Sequence, residues 1–285
     1  MNPVVSAKSI AIASAVAVFL VVVSLGEGFL QIQQREADDQ RRVDMMSYAA
    51  AVRARIVREL NSPLYLTSGL SGYLVVRNDS IPAEEVRDIL AALYKGSRHV
   101  RNFGVAIGYR LTYVYPVAGN ENAVGLDYRE LPLQLPQIER TIESGKPILV
   151  GPVALVQGGS GLIYRVPLFV NGKFWGLLST VVDSESVFKS VAEESDDSRF
   201  AYSLRGKDGL GASGETILGD AGLFIRPDSV IQMIDIPGGR WAIAVAPRDS
   251  PSNRSLLNVR LFVAFAGGLV AWVLYAAVHT SLRAT

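Results

Sequence analysis

Catalysis needs nucleophiles, bases and ligands, and this sequence is short of them. It holds two histidines, His99 and His279, and no cysteine. A disulfide framework and a thiolate metal site are therefore excluded, as is a metal site built on several His or Cys ligands. A Ser–His–Asp triad could draw only on His99, because His279 lies near the end of a long apolar run. Gly158-Gly159-Ser160-Gly161 lacks the G-x-S-x-G spacing of a nucleophile elbow. Glu121 and Asp127 flank one loop, yet nothing in the pattern holds them together as a working carboxylate pair. His99 reads as a surface or hairpin-end residue. Gly209 to Gly214 (GLGASG) matches G-x-G-x-x-G, but a nucleotide fingerprint needs an apolar strand before it and a helix after it, and neither is read there. These absences point to binding rather than to catalysis, and no cofactor is expected.

The elements that would position a binding site follow from apolar patterning. Formal net charge is +1 over 285 residues, so no global field recruits nucleic acid. Mean hydropathy is +0.25, and two runs account for it. Ser9 to Gly26 carries no charge and spans about 27 Å as a helix, enough for a hydrocarbon core. Leu261 to Leu282 is the second run, with Arg260 and Arg283 at its flanks and Trp272 and Tyr275 as interfacial residues. The expectation is a two-span protein of the cell inner membrane. Residues 1–8 form a cytoplasmic tail, 27–258 a large periplasmic region and 283–285 a cytoplasmic end. The sequence stops at Thr285 just past the second span. Either an output domain is missing from this chain, or a separate cytoplasmic output protein reads the signal, with Gly267-Gly268 as a close-packing spot for it.

Between the spans, Leu30 to Leu60 lacks Gly and Pro and is rich in helix formers. Met46, Ala49, Val52, Ile56, Leu60 and Leu64 form an amphipathic stripe at spacings of three and four. The stripe can pack on its own domain, pair with a second copy, or divide between the two, and a homodimer is expected. Pro63 should kink or restart this stalk, which continues to Val76. Pro82-Ala83-Glu84-Glu85 starts a further helix that buries Val86, Ile89, Leu90 and Leu93. Val100–Ile107 and Arg110–Tyr115 form a hairpin turning at Gly108-Tyr109. A helix follows from about Leu135 to Ser144, capped by Gly145. Short strands lie at Pro147–Val150 and Val153–Gln157, on either side of Gly151-Pro152. Leu162–Val170 and Phe174–Val182 are joined by Asn171-Gly172, a type I′ signal. After a short helix at Val187–Ala192, strands at Arg199–Arg205, Leu223–Ile225, Ser229–Ile236 and Arg240–Ala246 make a smaller sheet. The class is α+β, with helices on antiparallel sheets.

The ordered set Tyr115-Pro116-x-x-Gly119-Asn120-Glu121, Gly125-Leu126-Asp127-Tyr128, Gly151-Pro152-x-x-Leu155-x-Gln157-Gly158-Gly159, Pro167-x-Phe169, Phe174-Trp175-Gly176 and Val181-Val182-Asp183 resembles the CHASE family. That family is the extracytoplasmic sensory domain of receptors coupled to histidine kinases and to diguanylate or adenylate cyclases. The resemblance covers Asn61 to Asp183 and extends less sharply to Pro247. It implies a stalk at 27–76, a membrane-distal PAS-like ligand domain at 77–185, a membrane-proximal PAS-like domain at 186–258, and dimers. Plant members hold adenine-type hormones with an aspartate whose matching position here is Gln134. An amide in place of a carboxylate argues against that ligand and leaves the small molecule unidentified. Tyr115, Asp127, Tyr128, Gln134, Val150, Leu155 and Tyr164 are the expected pocket residues. Core packing is the alternative for the apolar and aromatic ones, and a local backbone contact at the Gly125 turn is the alternative for Asp127. The implied function is a sensor that signals across the membrane to a kinase or cyclase; a ligand-free envelope scaffold is the alternative.

Overall fold

The computed structural model describes residues 7–156, 158–249 and 253–284; most of the expected N-terminal tail, Gln157 and Thr285 lie outside them. The chain divides into two compact units, Met1–Asp44 with Asp249–Thr285, and Met45–Arg248.

Helix-forming residues without a break produce one helix, α1, over Ala7–Arg77. The last helix, α5, covers Asn253–Ala284. Both apolar runs are exposed along nearly their whole length, with mean hydropathy 2.5 and 2.2. Surface of that kind is stable in lipid and costly in water. Within the first unit the two helices meet at small residues. Gly26 lies against Val263, and a Cβ on Gly267 would sit 3.4 Å from Phe19 and Val22. Arg260 Nη2 donates to Glu27 Oε1 at 2.5 Å. Of the Gly267-Gly268 pair, Gly267 faces the chain's own first helix, while a Cβ on Gly268 would meet nothing within 4 Å among the described residues.

The second unit is built on two antiparallel sheets. After α2 (Ala83–Lys95) come β1 (Val100–Ile107), β2 (Arg110–Tyr115), α3 (Leu135–Ser144), β3 (Ile148–Ala154), β4 (Ser160–Val170), β5 (Lys173–Asp183) and α4 (Ser184–Glu194). The first sheet runs β2-β1-β5-β4-β3. Strand alternation sends Phe103, Val105, Leu162, Tyr164, Val166, Leu168, Leu178 and Val182 to one face, where they share a core with α1 and α2. Each fully buried aliphatic or aromatic side chain there contributes about 1.5–3 kcal/mol. Ala49, Val52, Ile56, Leu60, Leu64, Leu70 and Leu74 of α1 are buried in this core, so most of the stripe serves its own domain; Met46 stays exposed. Pro63 does not break the helix. The turn around it is seated by Leu60 and Leu64 and by Thr67, whose hydroxyl donates to the Pro63 carbonyl at 2.7 Å.

The β4–β5 turn has Asn171 and Gly172 at φ 50° and 76°, the left-handed pair a type I′ hairpin requires. In β3 the stretch around Gly151-Pro152 is a bulge within one strand rather than a gap between two, because Gly151 at φ 112° absorbs the bend.

The second sheet runs β7-β6-β9-β8, from β6 (Phe200–Arg205), β7 (Thr216–Leu218), β8 (Val230–Ile236) and β9 (Gly239–Pro247). The strand expected at Leu223–Ile225 is a 3₁₀ turn, and the edge strand is β7 instead. Asp220 accepts the Gly222 N–H at 2.8 Å and starts that turn, and Ser229 Oγ donates to the Leu223 carbonyl. The Gly209–Gly214 segment forms two 3₁₀ turns between β6 and β7, with no helix after it. The edge strand β3 docks this sheet onto the first one. Gly151 N donates to Asp208 Oδ1 at 2.9 Å, and Leu149 N donates to the Pro237 carbonyl at 2.8 Å.

Candidate ligand pocket

The face of the first sheet turned away from α1 carries a different set of residues. Asn102 and Gly104 of β1, Ile163 and Arg165 of β4, and Ser179 and Val181 of β5 lie there. The segment from Pro116 to α3 closes over them. It is tied down by backbone bonds: Leu111 N to Leu126 O and Gly125 N to Leu111 O, both 2.8 Å, and Tyr128 N to Tyr109 O at 2.9 Å. Gly125 at φ 81° is what lets the chain reverse there. Asp127 then caps a 3₁₀ turn, its carboxylate accepting from Arg129 N at 3.0 Å, Nε at 2.9 Å and Nη2 at 2.6 Å. The Arg129 guanidinium, followed by its backbone N–H, holds the Asp127 carboxyl well below the usual carboxylate range. Leu126, Tyr128, Leu131 and Gln134 face the sheet, and Leu155 and Val156 close the side. The cavity between them has a volume of about 50 Å³.

Arg165 dominates the chemistry of this space. The residue is 1% exposed. Its Nη2 donates to Gln134 Oε1 at 2.5 Å, while Nε and Nη1 have no partner among the described residues. Tyr128 lies under the guanidinium, 5.7 Å from ring centre to Cζ, and its hydroxyl is 3.1 Å from Ser179 Oγ. Burial pulls the guanidinium below its ordinary value, against the raising fields of Tyr128 and Asp208. Arginine keeps its proton in proteins, so the group is a desolvated cation with unused donors.

A family model, the CHASE domain, matches residues 39–218, more than half of the chain. The chain belongs to the CHASE family. No curated protein sequence matches it. Solved structures share its fold at low identity. An extracellular ligand-binding receptor from Desulfohalobium retbaense is 14% identical with a TM-score of 0.58, covering 71% of this chain; the match spans 40% of that receptor. The extracellular domain of a protein assigned as the histidine kinase rpHK1S-Z16 is 16% identical, TM-score 0.54, covering 76% of this chain and 98% of that one. The ligand-binding domain of the Pseudomonas fluorescens chemoreceptor CtaA, solved with L-isoleucine, is 12% identical, TM-score 0.53, covering 77% and 95%. At these identities the likeness is one of fold: a long helix with two PAS-like antiparallel sheets.

Within this CHASE domain the seven expected pocket residues separate. Tyr128, Gln134 and Leu155 line the cavity. Val150 is buried beside it, in a cluster with Leu155, Ile163 and Val181. Asp127 is occupied by Arg129. Tyr164 lies on the opposite face, in the core shared with α1, and Tyr115 packs there edge-on to Tyr94 at 5.8 Å. Strand alternation explains the split, since Tyr164 and Arg165 must face opposite ways. Arg165, Asn102 and Ser179 join the cavity without having been expected. A lone charge inside the apolar run LIYRVPLFV was the available signal for Arg165. His99 sits at the hairpin end, just before β1, but not at the surface. Its side chain is 8% exposed, with Nε2 3.0 Å from Glu59 Oε2 and Nδ1 2.7 Å from Ser186 Oγ.

Proposed function

We propose that this CHASE domain is an extracytoplasmic sensor that binds a small ligand between the 116–144 segment and the first sheet. The observation that carries the reading is the cavity's relation to β5. Ser179 and Val181 face the cavity, and Thr180 between them faces the stalk helix, 2.5 Å from Thr67 Oγ1. A ligand that shifts β5 therefore acts on α1 through one hydrogen bond and the packing around it. Binding must favour one state of the stalk over another, or no signal results. Family membership supports a ligand-binding module that is not itself catalytic.

In this reading the inner-membrane spans are 9–26 and 261–282, the stalk is 27–76, and the ligand and membrane-proximal domains are 77–185 and 186–258. The protein works as a homodimer that pairs along the membrane-proximal stalk and drives a kinase or cyclase output, in this polypeptide or a separate one. The chain contains no cysteine, so one introduced at exposed Val43 gives an unambiguous cross-link. The test screens a metabolite library against the full chain in membranes, reading both thermal stability and the rate of Val43→Cys disulfide formation. A stabilising compound that changes the cross-linking rate is expected. No stabilising compound, together with an experimental structure whose cavity is filled by side chains, would favour the scaffold.

A further inference from the structure

The polar groups around the cavity are unequal. Among the described residues donors are in excess: Arg165 Nε and Nη1 are buried without acceptors, and the guanidinium's acceptor is the Gln134 amide oxygen. Among the described lining residues none is Asp or Glu; the polar ones are Asn102, Tyr128, Gln134, Arg165 and Ser179. The nearby carboxylates are already used, Asp127 by Arg129 and Asp208 by the Gly151 N–H. The rest of the wall is apolar, including Leu111, Leu131, Leu155, Ile163 and Val181. A buried cation with unmet donors is costly; a neutral acceptor such as the Gln134 amide meets a donor, and an oxyanion meets the donors and the charge together.

We infer that the cavity takes a small organic monocarboxylate with an apolar body, its carboxylate accepting from the guanidinium donors of Arg165 that Gln134 leaves open. This deepens the sensor reading and rests on it. Each two-bond edge of a guanidinium includes Nη2, so a carboxylate meets Nε or Nη1 together with the second Nη2 proton, as two parallel N–H···O bonds. The apolar wall then suits a short hydrocarbon or aromatic body. An α-ammonium group would enter a site with a fixed cation and no carboxylate to receive it, so free amino acids are disfavoured. An inorganic sulfate or phosphate would satisfy Arg165 but leave its remaining oxygens against leucine and valine side chains. Gln134 holds one Nη2 proton and so fixes the orientation of the guanidinium in the cavity wall.

The test is calorimetric titration of the full chain in lipid nanodiscs with acetate, butyrate, isovalerate and benzoate. Isovaleramide, valine and sulfate are the comparison probes. At least one of the larger carboxylates is expected to bind, with the amide and the amino acid weaker by about 100-fold, the worth of a charge-assisted pair in a dry site. Arg165→Met is expected to abolish carboxylate binding while the ligand-free protein melts at the same temperature or higher, because the substitution removes a buried unpaired charge without leaving a hole. The acid-versus-amide comparison uses the wild-type chain, so it stands even if the variant fails to fold. Equal binding of acid and amide, preference for valine, binding of sulfate alone, or failure of every carboxylate would each overturn the assignment. The sensor reading fails separately, on the cross-linking rate and the metabolite screen: a neutral compound that binds, alters cross-linking and keeps its affinity in Arg165→Met would sink the carboxylate and keep the sensor.

Discussion

The bond between Thr67 and Thr180 makes a prediction whose asymmetry comes from the geometry. Both residues are fully buried. Thr67 Oγ1 donates to the Pro63 carbonyl at 2.7 Å, so its proton is spoken for, and Thr180 must be the donor across the 2.5 Å contact. Replacing Thr180 with Val removes that donor but leaves Thr67 still bonded to Pro63, at about 0.5–1.5 kcal/mol. Replacing Thr67 with Val leaves the Thr180 hydroxyl buried without an acceptor, which costs about 1–3 kcal/mol. The double variant removes both polar groups at nearly constant volume and should be no worse than Thr180→Val alone. For a domain of this size each kcal/mol moves the midpoint by roughly 2–4 °C, so Thr67→Val should melt several degrees lower, with partial recovery in the double variant. Differential scanning fluorimetry on the full chain measures all three. Additivity of the two single losses within about 0.5 kcal/mol would refute the link between sheet and stalk.

Other outcomes follow from the same coordinates. The Tyr48 hydroxyl donates to the Ser195 carbonyl at 2.6 Å; burial, then the fields of Tyr202 and Asp197, raise its pKa from 10.0 to about 12. The stability this contributes is present below pH 10 and lost as pH rises through 12, so a pH series of melting curves should show a steeper alkaline loss in wild type than in Tyr48→Phe. Burial pushes the Glu59 carboxyl up, but hydrogen bonds from Arg58 and His99 outweigh it and hold it low. Its contribution is therefore present above the ordinary carboxylate pKa and disappears as pH falls through the lowered value; Glu59→Gln should flatten the acid limb of the same curves. At Gly176 a Cβ would collide with the backbone carbonyl of Ala106 across the β1–β5 pair. Gly176→Ala should lower the unfolding midpoint in urea by an amount equivalent to about 1–3 kcal/mol, and an unchanged midpoint would show that the pair can move apart.

Local signals in the sequence located most of the fold. Gly108-Tyr109 and Asn171-Gly172 placed two hairpins because turn geometry depends on those residues alone. Gly145 ended α3 for the same reason: it sits at φ 61° past the last turn. Features made by distant partners were harder to read. Glu59 and His99 meet from different elements, so the sequence places His99 at a hairpin end or surface without showing that both ring nitrogens are bonded. The stripe on α1 could not say whether its partner was its own sheet or another chain, because both demand the same spacing. Leu223–Ile225 carries apolar residues as a strand does, and only the Asp220 and Ser229 bonds turn it into a 3₁₀ segment. Tyr164 and Arg165 show both sides of the problem. The alternation of β4 fixes that they face opposite ways, but which face holds the cavity depends on where the 116–144 segment folds back.

The central claim is that occupancy of this cavity reaches the stalk. Hydrogen exchange on the full chain in nanodiscs, with and without isovalerate, tests it most directly. Slower exchange is expected over 126–135 and 161–166, which surround the ligand, with altered exchange in α1 between 60 and 70, behind Thr180. Protection confined to the second sheet, or protection at the cavity with no change in α1, would contradict it.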